Sequence, residues 1–389
     1  MKICRILDES ISIGCNMANA VVSFAEMTVS AVAIVTDVVR DGAAVTGYGF
    51  NSNGRYSQSG ILRTRLIPRL LAANNGQLLD DAGSNFDPFK CWQVMMRNEK
   101  PGGHGDRAAA VGALDMALWD AVAKIEGKPL YRLLADRFRG GVADGDVYVY
   151  AAGGYYYPQE AGVALLQDEM RRYVDMGYES VKMKVGGASL PEDLRRIEGV
   201  LAVLPKEASL AVDANGRFNL PQALDFSRAI EPYHLKWYEE PGDPLDYALL
   251  KSVAENSKTP LATGENLFSS QDARNLLRYG GLDRNTSVLQ MDPALSYGLV
   301  DYLRTLEVMK ESNWSHRRCI PHGGHQLALH VAAGMGLGGN ESYPGVFQPF
   351  GGFADGAEIR NGRMRIPDEP GVGIELKSNL FALFKQMLS

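Results

Sequence analysis

Six ionisable side chains recur at nearly even intervals along the second half of the chain. Each ends a short apolar segment, and neighbours in the series are 29, 26, 26, 27 and 30 residues apart. They are Lys184, Asp213, Glu239, Glu265, Asp292 and His322. One strand–helix unit of an eight-unit barrel takes about 31 residues, and such barrels carry their active sites at the carboxyl ends of the strands. The spacing therefore predicts one charged side chain at the same end of each successive strand.

Short strand patterns alternate with helical patterns from about residue 147 onward. Eight apolar stretches are typical of strands, and at least seven helical patterns separate them. The stretches are VYVYAAGGYYY, ESVKMKV, SLAVDANG, HLKWYEEP, PLATGEN, SVLQMDP, HRRCIPHGG and ESYPGVF. Strict alternation favours parallel strands with crossover helices, and eight strands favour a closed barrel. Helix starts are predicted at Pro158 and, by a capping-box pattern, at Ser189 to Glu192.

The first third of the chain has a different pattern. Strand-like stretches up to residue 50 are separated by the turn Asp41-Gly42, and residues 60–135 show helical spacing that stops near Gly127. This region is therefore predicted to be α+β. The polar loop at residues 51–60 is a candidate lid or specificity loop, with a solvated connection as the alternative.

Charge and composition exclude several classes of function. The net charge is −6 and there is no basic block, which argues against a nucleic-acid partner. The apolar run VSAVAIV is too short to span a membrane, and the first residues lack the pattern of a signal peptide. The four cysteines are scattered without metal-ligand spacing, so free thiols in a reducing cytoplasm are expected.

Three of the six side chains are carboxylates that end consecutive strands. Acids brought together from the third, fourth and fifth strands repel one another unless a cation joins them. Oxygen ligands suit a hard divalent ion, Mg²⁺ above all, and the lack of Cys or His among them disfavours zinc. At the fourth strand, Glu239 and Glu240 are adjacent, and side-chain alternation allows only one of them to face the barrel axis.

Lys182 and Lys184 lie two residues apart in VKMKVGG and must share one face of a strand. If that face is buried, two ammonium groups leave water together, which is costly unless carboxylates or a ligand compensate. An edge strand with both lysines in solvent is the alternative.

The ordered motifs KMK, VDANG, YEEP, TGEN, QMDP and PHGGH resemble the enolase superfamily, in particular its mandelate racemase-type branch. The resemblance covers essentially the whole chain. It implies an α/β fold, a TIM-type (β/α)7β barrel with an α+β capping domain. The implied limits are residues 1–140 for the capping domain, 141–346 for the barrel, and 347–389 for a C-terminal segment that returns to the cap.

The resemblance also implies roles for the site residues. Asp213, Glu239 and Glu265 would bind Mg²⁺, which selects Glu239 over Glu240. Lys184 would be the base on one side of the substrate, and a nearby ammonium group and cation are expected to lower its pKa.

On the other side, His322 paired with Asp292 would be the acid/base. Lys182 would donate to the substrate carboxylate, and Glu341 would hydrogen-bond the developing enolate. His325 and His330 are expected to be structural.

The activity implied is dehydration of an acid sugar, with D-tartrate as the expected substrate and oxaloacetate as the product. Another sugar-acid dehydratase or a 2-hydroxy-acid racemase is the alternative. A non-catalytic barrel would carry a damaged catalytic position, and a metal-dependent aldolase would not need both the lysine pair and the Asp–His pair. A homo-oligomer is expected.

A dicarboxylate substrate needs a second anion site away from the metal. The basic candidates are Arg55 in the polar loop and Lys100 or His104 in KPGGHGD, each with solvent exposure as the alternative. Arg55 is preferred because its planar fork suits carboxylates. Asn215 lies two residues after Asp213 and is expected to reach the substrate.

Overall fold

The computed structural model describes residues 1–52, 55–157 and 162–389. The chain begins with an antiparallel sheet in the order β1-β2-β3. Its strands are β1 (Ile3–Ser12), β2 (Thr28–Arg40) and β3 (Ala43–Phe50). The hairpin between β2 and β3 turns at Asp41 and Gly42, both with positive φ, as the sequence predicts.

Helices cover one face of this sheet. The first helical segment joins α1 (Ser59–Ile61), a π-helical turn (Leu62–Leu66) and α2 (Ile67–Leu71). It is followed by α3 (Asn75–Leu78), α4 (Pro88–Met95), α5 (Asp106–Glu126) and α6 (Leu130–Phe138). Together the sheet and helices confirm the predicted α+β region.

Helix α5 is buried along almost its whole length because small residues let neighbouring backbones approach it. A Cβ at Gly47 or Gly49 of β3 would come within 2.0 or 2.1 Å of a carbonyl oxygen of α5. On its other side, a Cβ at Gly112 would lie 1.8 Å from the carbonyl oxygen of Ala294. Helix α5 is therefore clamped between the N-terminal sheet and the loop that follows the sixth barrel strand.

The second region is a closed parallel barrel. Its strands are β4 (Asp146–Ala152), β5 (Ser180–Lys184), β6 (Ser209–Asp213), β7 (Tyr238–Glu239), β8 (Leu261–Thr263), β9 (Val288–Leu289) and β10 (Asn340–Ser342). They pair in this order from β4 to β9, and β10 pairs in parallel with β4.

An extended segment at residues 319–322 fills the gap between β9 and β10. Cys319 forms a parallel bridge to Leu289, and the backbone N–H of Glu341 donates to the carbonyl of Pro321 at 3.1 Å. This segment is the predicted seventh strand, so the ring contains the eight predicted strands.

Helices connect the strands of the ring. They are α7 (Gly162–Asp175), α8 (Leu190–Leu201), α9 (Leu220–Ile230), α10 (Tyr247–Asn256), α11 (Ser270–Tyr279), α12 (Gly298–Glu311) and α13 (Gln326–Met335). Short 3₁₀ turns follow α9 at Glu231–Tyr233 and α12 at His316–Arg318. The (β/α)7β barrel is thus confirmed. The helix start predicted at Pro158 lies outside the described residues, and Ser189 precedes α8 without a side-chain cap, so the capping-box prediction was wrong.

The C-terminal segment runs back along both regions. The hairpin of β11 (Ile359–Arg360) and β12 (Arg363–Arg365) pairs antiparallel with β4. A 3₁₀ turn (Ile374–Leu376) then leads to α14 (Ser378–Leu388), whose Phe384 ring lies 4.7 Å from that of Tyr48. We propose residues 1–140, 141–346 and 347–389 as the domain limits. Among the described residues, no helix combines the length and the apolar character needed to cross a bilayer.

Candidate active site

The ionisable side chains predicted from the spacing lie together at the carboxyl ends of the barrel strands. In the parallel register, Lys184 at the end of β5 is opposite Asp213 at the end of β6, and Asp213 is opposite Glu239 at the end of β7. Because these strands end at the same level, three charged side chains stand side by side. All three are buried.

Carboxylate oxygens of Asp213, Glu239 and Glu265 lie within 4.8 Å of one another. Glu240 is not in this set, because its carboxylate accepts from the Asn266 side chain at 2.9 and 3.0 Å, and its backbone has a positive φ of 40°. Three converging, buried oxygen donors without sulfur or nitrogen fit Mg²⁺. The structure therefore favours Glu239, the residue that the resemblance implies.

The two lysines of the KMK motif are both inside the barrel, so the alternative of a solvent-exposed edge strand was wrong. Lys182 Nζ lies 2.6 Å from Glu239 Oε1, 2.7 Å from Glu341 Oε1 and 3.5 Å from Asp213 Oδ2. Lys184 Nζ lies 2.5 Å from Asp213 Oδ2. Carboxylates thus compensate both buried ammonium groups.

The pKa of Lys184 is not lowered by the protein's own groups. Burial opposes its charged form, but Asp213 together with Tyr155 and Glu265 outweighs burial and raises the pKa above the usual lysine value. The prediction of a lowered pKa for Lys184 assumed a bound divalent cation. Such a cation would attract the Asp213 carboxylate and weaken its contact with the lysine. Within the acid cluster, burial and the charge of Asp213 raise the pKa of Glu239.

His322 lies on the opposite flank of the acid cluster from Lys184. Its Nδ1 is 3.1 Å from Asp292 Oδ2, and its Nε2 is 3.2 Å from Glu265 Oε2. Burial disfavours the imidazolium, but Glu265 and Asp292 together raise the pKa of His322. Despite burial, the nearby histidines hold the pKa of Asp292 well below its usual range. Asp292 and His322 therefore form the predicted pair.

Glu341, in β10, lies between the lysine flank and the histidine flank. Its Oε1 is 2.7 Å from Lys182 Nζ, and its Oε2 accepts from the backbone N–H of Gly323 at 2.9 Å. Burial opposes ionisation, but Lys182 and His322 lower the pKa of Glu341 to about 2. Glu341 is thus an acceptor in this arrangement.

Two of the predicted substrate-binding residues border the acid cluster. Arg55 Nη2 is 3.0 Å from Glu265 Oε1, and its side chain is 31% exposed. The Asn215 side chain donates to Asp213 Oδ2 at 3.3 Å. Arg55 Nε and Asn215 Oδ1 are both buried without a hydrogen-bond partner among the residues described, so each has a free polar atom near the site.

The other two basic candidates are arranged differently. Lys100 is exposed, and the ring of His104 contacts the hydroxyl of Tyr297 at 3.2 Å and faces Asp272 at 3.5 Å. Within the predicted lid loop, residues 53 and 54 lie outside the described residues. Ser52 anchors the start of the loop by donating to the carbonyl of Gly323 at 2.7 Å.

Sequence reasoning missed several residues that contact the site. The side chains of Gln290 and Trp237 donate to Glu239 Oε2 at 2.8 and 2.9 Å, and the Tyr343 hydroxyl lies 3.1 Å from His322 Nε2. Each of the three is two residues from a predicted site residue along an extended segment, so side-chain alternation could have found them. His325 Nε2 also lies 3.0 Å from Asp292 Oδ1.

Two family models match the chain. The model described as "Enolase C-terminal domain-like" matches residues 165–380, and the N-terminal domain of "Mandelate racemase / muconate lactonizing enzyme" matches residues 11–135. Together they cover both the α+β region and the barrel.

Individual proteins agree with the family models. The arabinonate dehydratase of Saccharolobus solfataricus is 30% identical over 73% of this chain and 74% of its own length. A racemase from Streptomyces coelicolor with bound magnesium superposes with a TM-score of 0.79 at 26% identity, covering 99% of each chain. The L-talarate dehydratase of Polaromonas sp. JS666, complexed with Mg and L-glucarate, superposes with a TM-score of 0.76 at 25% identity, covering 97% of this chain and 95% of that one. With the buried acids described above, these magnesium-containing structures confirm Mg²⁺ as the cofactor.

Proposed function

The chain belongs to the mandelate racemase / muconate lactonizing enzyme branch of the enolase superfamily, and on that premise we propose that it dehydrates an acid sugar. The substrate that we propose is D-tartrate, which would lose water to give oxaloacetate. The observation that carries the proposal is the placement of Lys184 and His322 on opposite flanks of one acid cluster. A substrate between them meets one group suited to remove a proton and another suited to donate one.

Proton removal belongs to the lysine flank. In its neutral amine form, Lys184 Nζ would take the proton on the carbon next to the substrate carboxylate, and the electron pair would move toward that carboxylate. Mg²⁺ held by Asp213, Glu239 and Glu265 supplies, when bound, positive charge that polarises the carboxylate. Lys182 adds hydrogen-bond donors where negative charge develops.

Glu341 supports Lys182 in this scheme. Its two oxygens accept from Lys182 and from the backbone of Gly323, so it holds the ammonium group in place. The hydrogen bond to an enolate that the resemblance implies would require a proton on Glu341. Its lowered pKa instead favours the role of orienting Lys182.

Loss of water belongs to the histidine flank. Asp292 accepts from Nδ1 of His322, and Glu265 and Asp292 raise the pKa of the ring, so the imidazolium form carries a second proton on Nε2, which faces the acid cluster. As the bond between the β-carbon and its hydroxyl breaks, Nε2 would give its proton to the departing oxygen and water would leave. The enol that remains would tautomerise to the 2-keto acid.

The proposal of a dicarboxylate substrate rests on Arg55 and Asn215. The guanidinium of Arg55 lies beside Glu265 and has one unpartnered N–H among the described residues, which suits a second carboxylate. The unpartnered oxygen of Asn215 suits a substrate hydroxyl. A structural neighbour was solved with L-glucarate, which is also a dicarboxylate.

The test is a substrate panel. The protein with Mg²⁺ would be incubated in D₂O with D-tartrate, L-tartrate, galactarate, L-talarate and arabinonate, and 2-keto acid and α-deuterium would be measured. We expect keto acid from D-tartrate and none in the presence of EDTA. If only another acid of the panel gives keto acid, D-tartrate is not the substrate, but the proposed dehydration still holds. Arg55→Met should raise KM for dicarboxylates more than for arabinonate.

Racemisation is the second candidate, because acid/base groups flank both sides of the cluster and a solved racemase has the same fold. Deuterium incorporation or inversion without keto acid would favour it. If no acid in the panel exchanges or reacts, the non-catalytic alternative gains support.

We also propose a cytoplasmic homo-oligomer. All four cysteines are free, and Cys91 and Cys319 are buried, which suits a reducing compartment. Light scattering in solution would test the assembly, and a monomeric mass would contradict it.

A further inference from the structure

We propose that His325 is a positioning residue that holds the Asp292 carboxylate in the orientation in which Asp292 holds His322. The inference deepens the proposed function, since it concerns how the histidine flank is kept in place. The sequence predicts only a structural role for His325, but the fold brings it onto the same carboxylate as His322.

Both oxygens of Asp292 are occupied by fixed partners. Oδ2 lies 3.1 Å from His322 Nδ1, whereas Oδ1 lies 3.0 Å from His325 Nε2 and accepts from the backbone N–H of Ala294 at 2.7 Å. Asp292 and both histidines are buried. The carboxylate therefore cannot turn without breaking contacts on both sides.

The position of the proton on His325 follows from the helix that it starts. His325 is the N-cap of α13, and its Nδ1 accepts from the backbone N–H of Ala328 at 3.2 Å. Because Nδ1 is an acceptor, Nε2 carries the proton and donates to Asp292. Helix α13 is buried from Gln326 to Gly334, so the ring is fixed to a rigid element.

Gly323 makes this close arrangement possible. A Cβ at this position would lie 2.4 Å from Asp292 Oδ2 and 2.6 Å from Cδ2 of His325, and the backbone φ is +107°. Only glycine adopts that conformation without strain. Gly323, one of the two glycines between His322 and His325, thus lets both rings reach one carboxylate.

Two asparagine variants separate positioning from helix capping. His325→Asn keeps a side-chain oxygen for the N-cap, which asparagine favours, but is too short to donate to Asp292. His330→Asn is the matched control, because His330 is buried on the same helix, its Nδ1 accepts from the backbone of Tyr131 at 3.2 Å, and it does not contact Asp292. His325→Gln restores a donor at the distance of Nε2.

In turnover, we expect His325→Asn to lower kcat for dehydration about 10- to 100-fold, a part of the ~10²–10⁴-fold that a general acid contributes. For His325→Asn, KM and the exchange of the α-proton with D₂O on the lysine side should change by less than about 3-fold, because they do not depend on the position of Asp292. For His330→Asn, kcat should also change by less than about 3-fold, because His330 does not hold Asp292. His325→Gln should recover part of kcat. A kcat for His325→Asn within 3-fold of wild type, or an equal loss of exchange and dehydration, would overturn the proposal.

A second measurement needs no substrate. In protein labelled with ¹⁵N-histidine, the Nδ1–H of His322 should give a slowly exchanging signal in the wild type and in His330→Asn, and lose its protection in His325→Asn. An unchanged signal in His325→Asn contradicts the positioning role. If the wild type turns over no acid sugar, the proposed function fails, whereas this signal still decides the role of His325.

Discussion

Replacing Lys182 by methionine should destabilise the protein strongly without Mg²⁺ and less with it. The lysine side chain is 1% exposed, and its Nζ lies 2.6 Å from Glu239, 2.7 Å from Glu341 and 3.5 Å from Asp213. Methionine fills a similar volume but carries no charge. The change therefore removes the positive partner of three buried carboxylates and leaves little cavity.

Removing one partner of a buried ion pair costs about 3–5 kcal/mol, because the other charge stays buried and uncompensated. Lys184 remains on Asp213 at 2.5 Å, but Glu239 and Glu341 each lose a direct ammonium contact. For a domain the size of the barrel, Tm shifts by ~2–4 °C for each kcal/mol. We therefore expect Tm in EDTA to fall by roughly 6–20 °C.

With Mg²⁺ present, the difference in Tm between Lys182→Met and the wild type should become smaller, because a divalent cation gives the same carboxylates a second source of positive charge. It should not vanish, because Glu341 still lacks its lysine. Linkage then requires the variant to bind Mg²⁺ more tightly than the wild type. Thermal unfolding by circular dichroism in EDTA and in saturating Mg²⁺, with calorimetric titration of the metal, measures both effects.

The matched control is Lys236→Met. Lys236 is partly buried, whereas Lys182 is fully buried; its Nζ contacts the hydroxyls of Tyr148 at 2.6 Å and Ser180 at 3.0 Å, and no carboxylate of the described residues lies within ion-pair distance. Lys236→Met should lower the free energy of unfolding by about 1 kcal/mol for each hydrogen bond lost, and this decrease should be the same with and without Mg²⁺. If Lys182→Met is as stable as the wild type in EDTA, or if the difference is equal with and without Mg²⁺, the charge argument is refuted.

Three further outcomes test separate parts of the structure. Lys184→Ala should abolish both dehydration and α-proton exchange in D₂O, whereas His322→Asn should lower dehydration by ~10²–10⁴-fold and spare exchange; parallel losses in both variants would contradict the assignment of flanks. Burial lowers the pKa of His330 to about 3, below its unfolded value, so wild-type stability is full above about pH 6.5 and falls below it by up to about 1.4 kcal/mol per pH unit. Between about pH 6.5 and 5, the free energy of unfolding of His330→Asn, measured with urea, should therefore fall by about 2 kcal/mol less than that of the wild type. The same dependence of the free energy of unfolding on pH in both proteins would contradict this. Gly112→Ala would place a Cβ 1.8 Å from the carbonyl of Ala294 and should cost about 1–3 kcal/mol, visible as a lower Tm.

The charged rim of the barrel was predictable because parallel strands share one register. Spacing alone places Lys184, Asp213 and one of the adjacent Glu239 and Glu240 at equivalent points of successive units, and the structure pairs Lys184, Asp213 and Glu239 in register. Strand lengths were not predictable. Tyr238–Glu239 and Val288–Leu289 have two residues each, although the apolar stretches around them are longer. Ring closure decides where pairing ends, and a local pattern does not contain that information.

Contacts between distant parts of the chain account for most of what was missed. Arg55 reaches Glu265 across 210 residues, so its place depends on how the N-terminal region docks on the barrel. Glu239 and Glu240 could not be separated by alternation alone, and the positive φ of Glu240 shows why, since the regular strand ends there. The raised pKa of Lys184 depends on a 2.5 Å contact that spacing cannot give.

Stability alone does not explain the composition of the barrel's carboxyl end. Asp213, Glu239, Glu265 and Glu341 are buried there with both lysines of the KMK motif. Replacing buried ion pairs by apolar side chains of similar size is often neutral or stabilising, so such a cluster is weak evidence of a stabilising role. Carboxylate oxygens of Asp213, Glu239 and Glu265 nevertheless converge to within 4.8 Å of one another. A scaffold or binding barrel would have no need for that arrangement, nor for a histidine and a lysine on its opposite flanks. Sites where a chain departs from what folding alone favours are expected to be functional, and the two flanks therefore argue for catalysis.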